Sequence, residues 1–435
     1  MTGYKKIFLL IALFVCSLGI LEAQTNSPYS RYGYGVLREQ ATGPSKGMGG
    51  IGYGLQNNLS ANPINPASYS SVDTLTMLID FGVHYNHSTL KDNSGSRADN
   101  SGGLDYVTLL FPVTRQLGVS AGLLPYTSVG YDYGTVDDQS GIAFRRSFSG
   151  SGGLSLAYIG MGYQTPFEGL FVGTNVSYIF GSIENQRSIP AIDVNGSNTS
   201  SDYSKLNTNG VKLDLGFQYK MNVSPRDVLT LGAVYSPQMN LRSDFQNRHY
   251  DVTSAGALIK GDTTNVKGVD GAIPHTFGLG FTIKHDRRIT YGADVTYQKW
   301  NGLKYSPAMG DGLSVSNRFN NRVKLNVGAE YMHSIFDRSV LKRVKWRGGF
   351  NYSNSYLNVQ APNGMAEGYN EYGATFGFGI PFYDPHSYGK RTSYVNISFD
   401  YKKLKPKVSG LIDEQYLGVS LNVNINDRWF MKRKI

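Results

Sequence analysis

Between Tyr416 and Ile425 every second residue is apolar: Leu417, Val419, Leu421, Val423 and Ile425 alternate with Gly418, Ser420, Asn422 and Asn424. Successive side chains of a strand point to opposite faces, so this segment separates an oily surface from a wet one. The pattern recurs along the chain. It predicts strands near 74–86, 103–113, 117–131, 152–163, 170–180, 211–220, 228–236, 274–283, 289–297, 322–331, 344–352, 372–380, 394–401 and 416–425. Each is roughly 9–13 residues long, enough for a tilted strand to cross hydrocarbon, and the total of about fourteen is even, as single-chain bacterial barrels require. Short connections (114–116, 165–169, 284–288) interleave with long polar ones (88–101, 183–208, 243–272, 302–318). Short periplasmic turns and long extracellular loops are the barrel rule, and they predict both chain ends on the periplasmic side. The fold expected is all-β: a transmembrane antiparallel β-barrel of about fourteen strands with an N-terminal hatch in its lumen.

The hatch is expected from the segment that breaks the alternation. Residues 24–73 carry Gly47-Met-Gly-Gly-Ile-Gly-Tyr-Gly54 and then Asn62-Pro-Ile-Asn-Pro-Ala67. They precede the first strand, so they start in the periplasm or inside the lumen. A barrel of about fourteen strands is too wide for side chains to close, and a mixed-polarity segment is a natural plug. Gly49 and Gly50 let backbone approach the wall, while Asn65, Pro66 and Ala67 set a turn whose Asn side chain can bond nearby backbone. The expected organisation is a signal peptide at 1–23, the hatch at 24–73, the barrel at 74–430 and a basic periplasmic tail at 431–435.

The leader has Lys5 and Lys6 before an apolar run, Ile7 to Ile20, and ends in Ala23 before Gln24. That run is too short to span a bilayer as a helix. Cys16, the sole cysteine, lies within it, and the β-branched Val15 before it disfavours lipid attachment there. The processed chain then has no cysteine for a disulfide or a thiolate metal site. With 52 Gly, 31 Tyr and 21 Phe against 16 Pro, and only 17% charged residues, composition suits turning strands and aromatic girdles. The net charge of +10 could suggest nucleic acid, but the basic residues are scattered, and nucleic-acid binding is not expected.

The chain resembles the long-chain fatty acid transporter family (FadL/TodX) in its Bacteroidota-type form. The residues that carry the likeness are Asn65-Pro66-Ala67, Gly152-Gly153-Leu154 through Gly160-Met161-Gly162-Tyr163, Val172 through Gly181, and the ending Asn426 through Lys434. The resemblance implies a fourteen-stranded barrel with an N-terminal hatch that admits hydrophobic molecules, and a lateral window at a kink in the third strand. Pro125 interrupts that strand, with Gly122 beside it, and proline cannot serve a ladder. The polar lumen face, Lys212, Asp214, Lys220, Asp294, Lys324, Glu330 and Asp400, departs from a greasy route. Tyr416, Gly418, Leu421, Val423 and Phe430 are similar to the C-terminal signal by which barrel-assembly machinery recognises clients.

Enzymatic motifs fail on context. Gly47-x-Gly49-x-x-Gly52 lacks the strand and helix a dinucleotide fingerprint needs, and Gly118-Val-Ser120-Ala-Gly122 lies within an alternating strand instead of a sharp elbow. No enzyme, cofactor or metal is expected. The expected function is passive, hatch-gated uptake of a hydrophobic or amphipathic small molecule, with outer-membrane lipid and barrel-assembly machinery as partners. The alternatives are a PorV-like accessory holding a secretion-system cargo protein with its long loops, or a hydrophilic diffusion pore.

Overall fold

In this computed structural model, residues 26–428 are described, except 93–94, 140–141, 191–197, 254–257, 306–317, 335–336, 362–363 and 384–391. The leader, Phe430 and the basic tail lie outside the described residues. After a two-residue strand, β1 (Val36–Leu37), come β2 (Thr76–Lys91), β3 (Ser96–Pro112), the broken pair β4 (Leu117–Pro125) and β5 (Thr127–Gln139), β6 (Ile142–Gln164), β7 (Leu170–Pro190) and β8 (Thr199–Asn222). Two more broken pairs follow, β9 (Asp227–Ser236) with β10 (Met239–Val252) and β11 (Leu258–Ile273) with β12 (His275–His285). Then come β13 (Ile289–Lys299), β14 (Arg322–Tyr331), β15 (Lys345–Asn354) and a small hairpin, β16 (Val359–Gln360) with β17 (Ala366–Glu367). The last wall strands are β18 (Tyr369–Tyr383), β19 (Thr392–Pro406) and β20 (Asp413–Arg428). Among the described residues two short α-helices occur, α1 (Gly43–Gly47) and α2 (Val340–Arg343). No helix among the described residues is long and apolar enough to cross a membrane. Strands do the crossing.

Counting each broken pair once, the wall is a closed antiparallel barrel of fourteen strands. β20 closes it by pairing with β2 from Thr76↔Arg428 to Lys91↔Asp413. The alternation sorts as expected: Val176, Tyr178, Leu215, Phe217, Leu417 and Val419 are exposed, while Asn175, Gln218, Ser420 and Asn422 are buried. Apolar side chains left in water on nearly every strand would be costly, so their surroundings are hydrocarbon. This is an outer-membrane barrel.

The breaks have a common cause. Pro125, Pro237 and Pro274 each stand where a strand stops and its continuation starts, because proline offers no N–H to the ladder.

Two expectations are corrected. The polar stretches 183–208 and 243–272 are not long loops. β7 runs to Pro190, β8 starts at Thr199, and β10 pairs with β11 from Met239↔Ile273 to Val252↔Leu258. Beyond the hydrocarbon, pairing needs no apolar face, so the ladder continues through Ser, Asn and Thr where alternation has faded. The 88–101 stretch is likewise mostly hairpin, and most of 302–318 lies outside the described residues. The second correction concerns the chain ends. Asn26 sits among the tall hairpins at the extracellular end, with its amide toward the Asn100 carbonyl at 3.5 Å, whereas β20 ends at the short-turn end. The segment from 26 to 75 is long enough to traverse the whole lumen, so its two ends lie at opposite rims.

Candidate functional site

The N-terminal segment tours the inner wall. Pro28–Arg31 form one 3-10 turn, and the Ser27 N–H donates to the Gly130 carbonyl of β5 at 2.8 Å. β1 pairs with β5 through Val36↔Ser128 and Leu37↔Thr127. Arg38 donates to the His84 imidazole at 2.9 Å and faces Asp105 at 3.5 Å. Lys46, on α1, reaches the same Asp105 and the Ser420 hydroxyl at 2.9 Å. The Gly49 N–H donates to Thr375 Oγ1 at 2.9 Å, and Asn326 donates to the Gly50 carbonyl at 3.0 Å.

The second half is held more tightly. Asp294 accepts from the backbone N–H groups of Gly52 and Tyr53. Asn65 donates to the carbonyls of Tyr53, at 2.7 Å, and of Phe217 on β8, at 3.1 Å, while its own oxygen caps the Ala67 N–H at 3.1 Å. Pro66 opens the second 3-10 turn, Pro66–Ser71. Asn175 donates to the Pro63 carbonyl and accepts from the Tyr69 hydroxyl.

Wall glycines make this closeness possible. Gly118, Gly162, Gly173 and Gly216 are partners in register across β4, β6, β7 and β8. A Cβ on Gly118 would stand 2.1 Å from the Tyr69 carbonyl oxygen, and one on Gly216 would stand 2.3 Å from Asn65 Oδ1. Sequence reasoning missed this row. Its signal was present, since these glycines occupy inward positions of otherwise regular strands.

Among the described residues, cavities of about 100 and 140 Å³ lie on either side of Leu37–Glu39. Their lining is charged. Lys212 pairs with Asp214, Lys402 with Glu371 at 3.3 Å, and Lys324 with Glu39 at 2.6 Å. Burial opposes the Glu39 charge, yet Lys324 and Lys402 outweigh it and hold its carboxyl down at about 2. Of the lumen residues named from sequence, Lys212, Asp214, Asp294, Lys324 and Asp400 line these cavities. Lys220 and Glu330 do not; Lys220 is exposed at the periplasmic mouth, and Glu330 is bound there by Lys345 and Arg347 at 3.1 and 2.7 Å. Arg38, Lys46, Asp105 and Lys402 were missed: Arg38 and Lys46 lie in an aperiodic segment that gives no facing information, Asp105 sits at the register shift of β3 against β2, and Lys402 lies just past the alternation expected at 394–401.

A second feature is a seam in the wall. β3 pairs with β4 only from Val107↔Leu123 to Pro112↔Gly118. Above Pro125 the wall turns away. Gly122 lies just below this break, paired with Thr108 and Tyr158. The crease continues through Gly152 and Gly153 at φ +108° and +143°. The upper edge of β3 is therefore separated from β5, among the described residues, by a cleft of about 270 Å³. Arg97 crosses it to the Asp132 carbonyl at 3.2 Å. In β20, Tyr416 is buried with its hydroxyl on Glu414, Gly418 lies against Asp400, and Val423 is buried between its register partners Phe81 and Val395. Leu421 is half-buried.

The model of the family described as BamG matches residues 4–435. The chain belongs to the BamG family. No curated protein sequence matches it. Among solved structures, a Pseudomonas aeruginosa FadL homologue superposes with a TM-score of 0.60 at 13% identity, over 88% of this chain and 98% of that one. The CymD monoaromatic hydrocarbon channel gives 0.59 at 14%, over 91% and 100%, and the Pseudomonas putida toluene transporter TodX gives 0.58 at 15%, over 91% and 100%. At such identities the likeness shows a shared FadL-type fold.

Proposed function

We propose that this BamG-family chain works with the outer-membrane barrel-assembly machinery as a companion barrel that contacts protein, with its lumen closed by its own N-terminal segment. The observation that carries the reading is the family match over nearly the whole chain, since the family's name ties it to that machinery. The lumen supports it. Small-molecule sites are mostly apolar, whereas the cavities on either side of Leu37–Glu39 are small and lined by ion pairs. Affinity purification of the tagged chain from its own outer membrane in mild detergent tests this. The central barrel of the assembly machinery should co-purify in stable proportion; a chain that purifies alone, or with a secreted cargo protein, would refute it and favour another role.

A second reading, passive uptake of an apolar or amphipathic small molecule, draws on the seam between β3 and β5 and on a fold shared with hydrocarbon channels. Pro125 and Gly122 then frame a lateral entry, and Gly49, Gly50, Asn65, Pro66 and Ala67 belong to a hatch that must shift. Apolar ligand retained through purification is the outcome this reading requires.

A further inference from the structure

We propose that the periplasmic mouth of the barrel is a docking surface for an acidic segment of a partner protein. The inference rests on the companion-barrel reading and names the kind of contact it uses. Basic residues scattered in the sequence converge here. The periplasmic ends of β8–β9, β12–β13 and β14–β15 are consecutive in the wall. Their turns are fused, the Asp286 N–H donating to the Arg226 carbonyl at 2.9 Å and the Met332 N–H to the Arg288 carbonyl at 2.8 Å. Residues 220–227, 284–288 and 330–345 together carry nine Lys and Arg against four Asp and Glu. That surplus is half of the chain's net charge of +10.

The four acids are already engaged. Asp227 accepts from His285 and Ser224, Asp286 faces Arg226 at 3.8 Å, Asp337 faces Lys342 at 3.5 Å, and Glu330 is held by Lys345 and Arg347. The surplus positive charge is therefore presented outward. The Arg226 side chain is 74% exposed, and Arg287 and Arg288 are exposed beside it. The same rim offers an apolar anchor, for Val340 and Leu341 on α2 are 51% and 72% exposed. A charged rim around an exposed apolar residue is the usual layout of a protein contact.

An anionic lipid headgroup is the rival occupant, and geometry disfavours it. Strand alternation turns the exposed Lys220 and Lys284 into the mouth of the lumen, inside the wall, where lipid around the barrel does not reach. A chain entering from the periplasm does reach them. Opposite charge there steers its approach.

The test uses the full processed chain in nanodiscs of zwitterionic lipid and a synthetic glutamate-rich peptide bearing one leucine. The wild type should bind the peptide, more weakly as salt rises. The variant Arg226→Glu, Arg288→Glu, Lys342→Glu should lose about tenfold or more in affinity. The control Lys205→Glu, Arg248→Glu, at the extracellular end, should bind as wild type does. Heat-modifiable gel migration checks folding, and the Gln version of the triple variant, which loses charge without reversing it, should fall between. Absence of peptide binding, or a triple variant that binds unchanged, would overturn the proposal. So would a triple variant that loses only co-purifying anionic phospholipid. Failure of the companion-barrel reading is seen separately, as a wild-type chain without the assembly machinery.

Discussion

Asn65 is fully buried and ties the N-terminal segment both to itself, through Tyr53 and Ala67, and to the wall, through Phe217. Replacing it by alanine strands buried carbonyls, each worth about 1–3 kcal/mol when left unpaired. Asn65→Ala should lower the unfolding midpoint in detergent and expose residues 50–70 to protease; an unchanged digestion pattern would count against the packing described. Glu414 gives a pH-dependent counterpart. It lies at the extracellular rim, beyond the hydrocarbon, fully buried and accepting from Ser27 and Tyr416. Burial, only partly offset by those donors, pushes its carboxyl up to about 8. A carboxyl raised in the folded state favours that state fully below its ordinary value near 4.5, and this contribution is lost as pH rises through about 8. Protease access to residues 26–31 should therefore increase over that window in the wild type and lose its pH dependence in Glu414→Gln. Asn65 was legible in the sequence because Asn-Pro chemistry is local. Glu414 was not, since its partner Ser27 lies 387 positions away.

Strands were legible wherever hydrocarbon forced one face to be apolar, and all fourteen wall strands were found for that reason. Their extracellular continuations were not, because a polar sheet in water carries no such constraint. The bend at Pro125 was visible, but its spread was not. It needs Gly152, where a Cβ would stand 2.1 Å from the Ser182 carbonyl oxygen at a φ that side chains rarely adopt. Gly152→Ala should cost about 1–3 kcal/mol from strain at this position. Thermal unfolding in detergent reads that cost, and an unshifted midpoint would argue against the crease. Gly118→Ala probes the wall row instead. It should displace Tyr69 and Ser70 inward and raise protease access to the segment, with the barrel's own migration on gels unchanged.

At the scale of the whole molecule, a FadL-type barrel has its interior taken up by its own chain and its surplus charge gathered at the periplasmic rim. Both features support the proposed companion-barrel role over a route through the lumen, as does the family match. The fold was readable from sequence. The choice between transport and protein contact was not, because it turns on how charges from distant segments assemble in space. Single-channel recording in planar bilayers tests the central claim most directly, with a chain lacking residues 26–60 as the comparison. The intact chain should show no conductance steps and the shortened chain large ones; steady conductance in the intact chain would contradict the account.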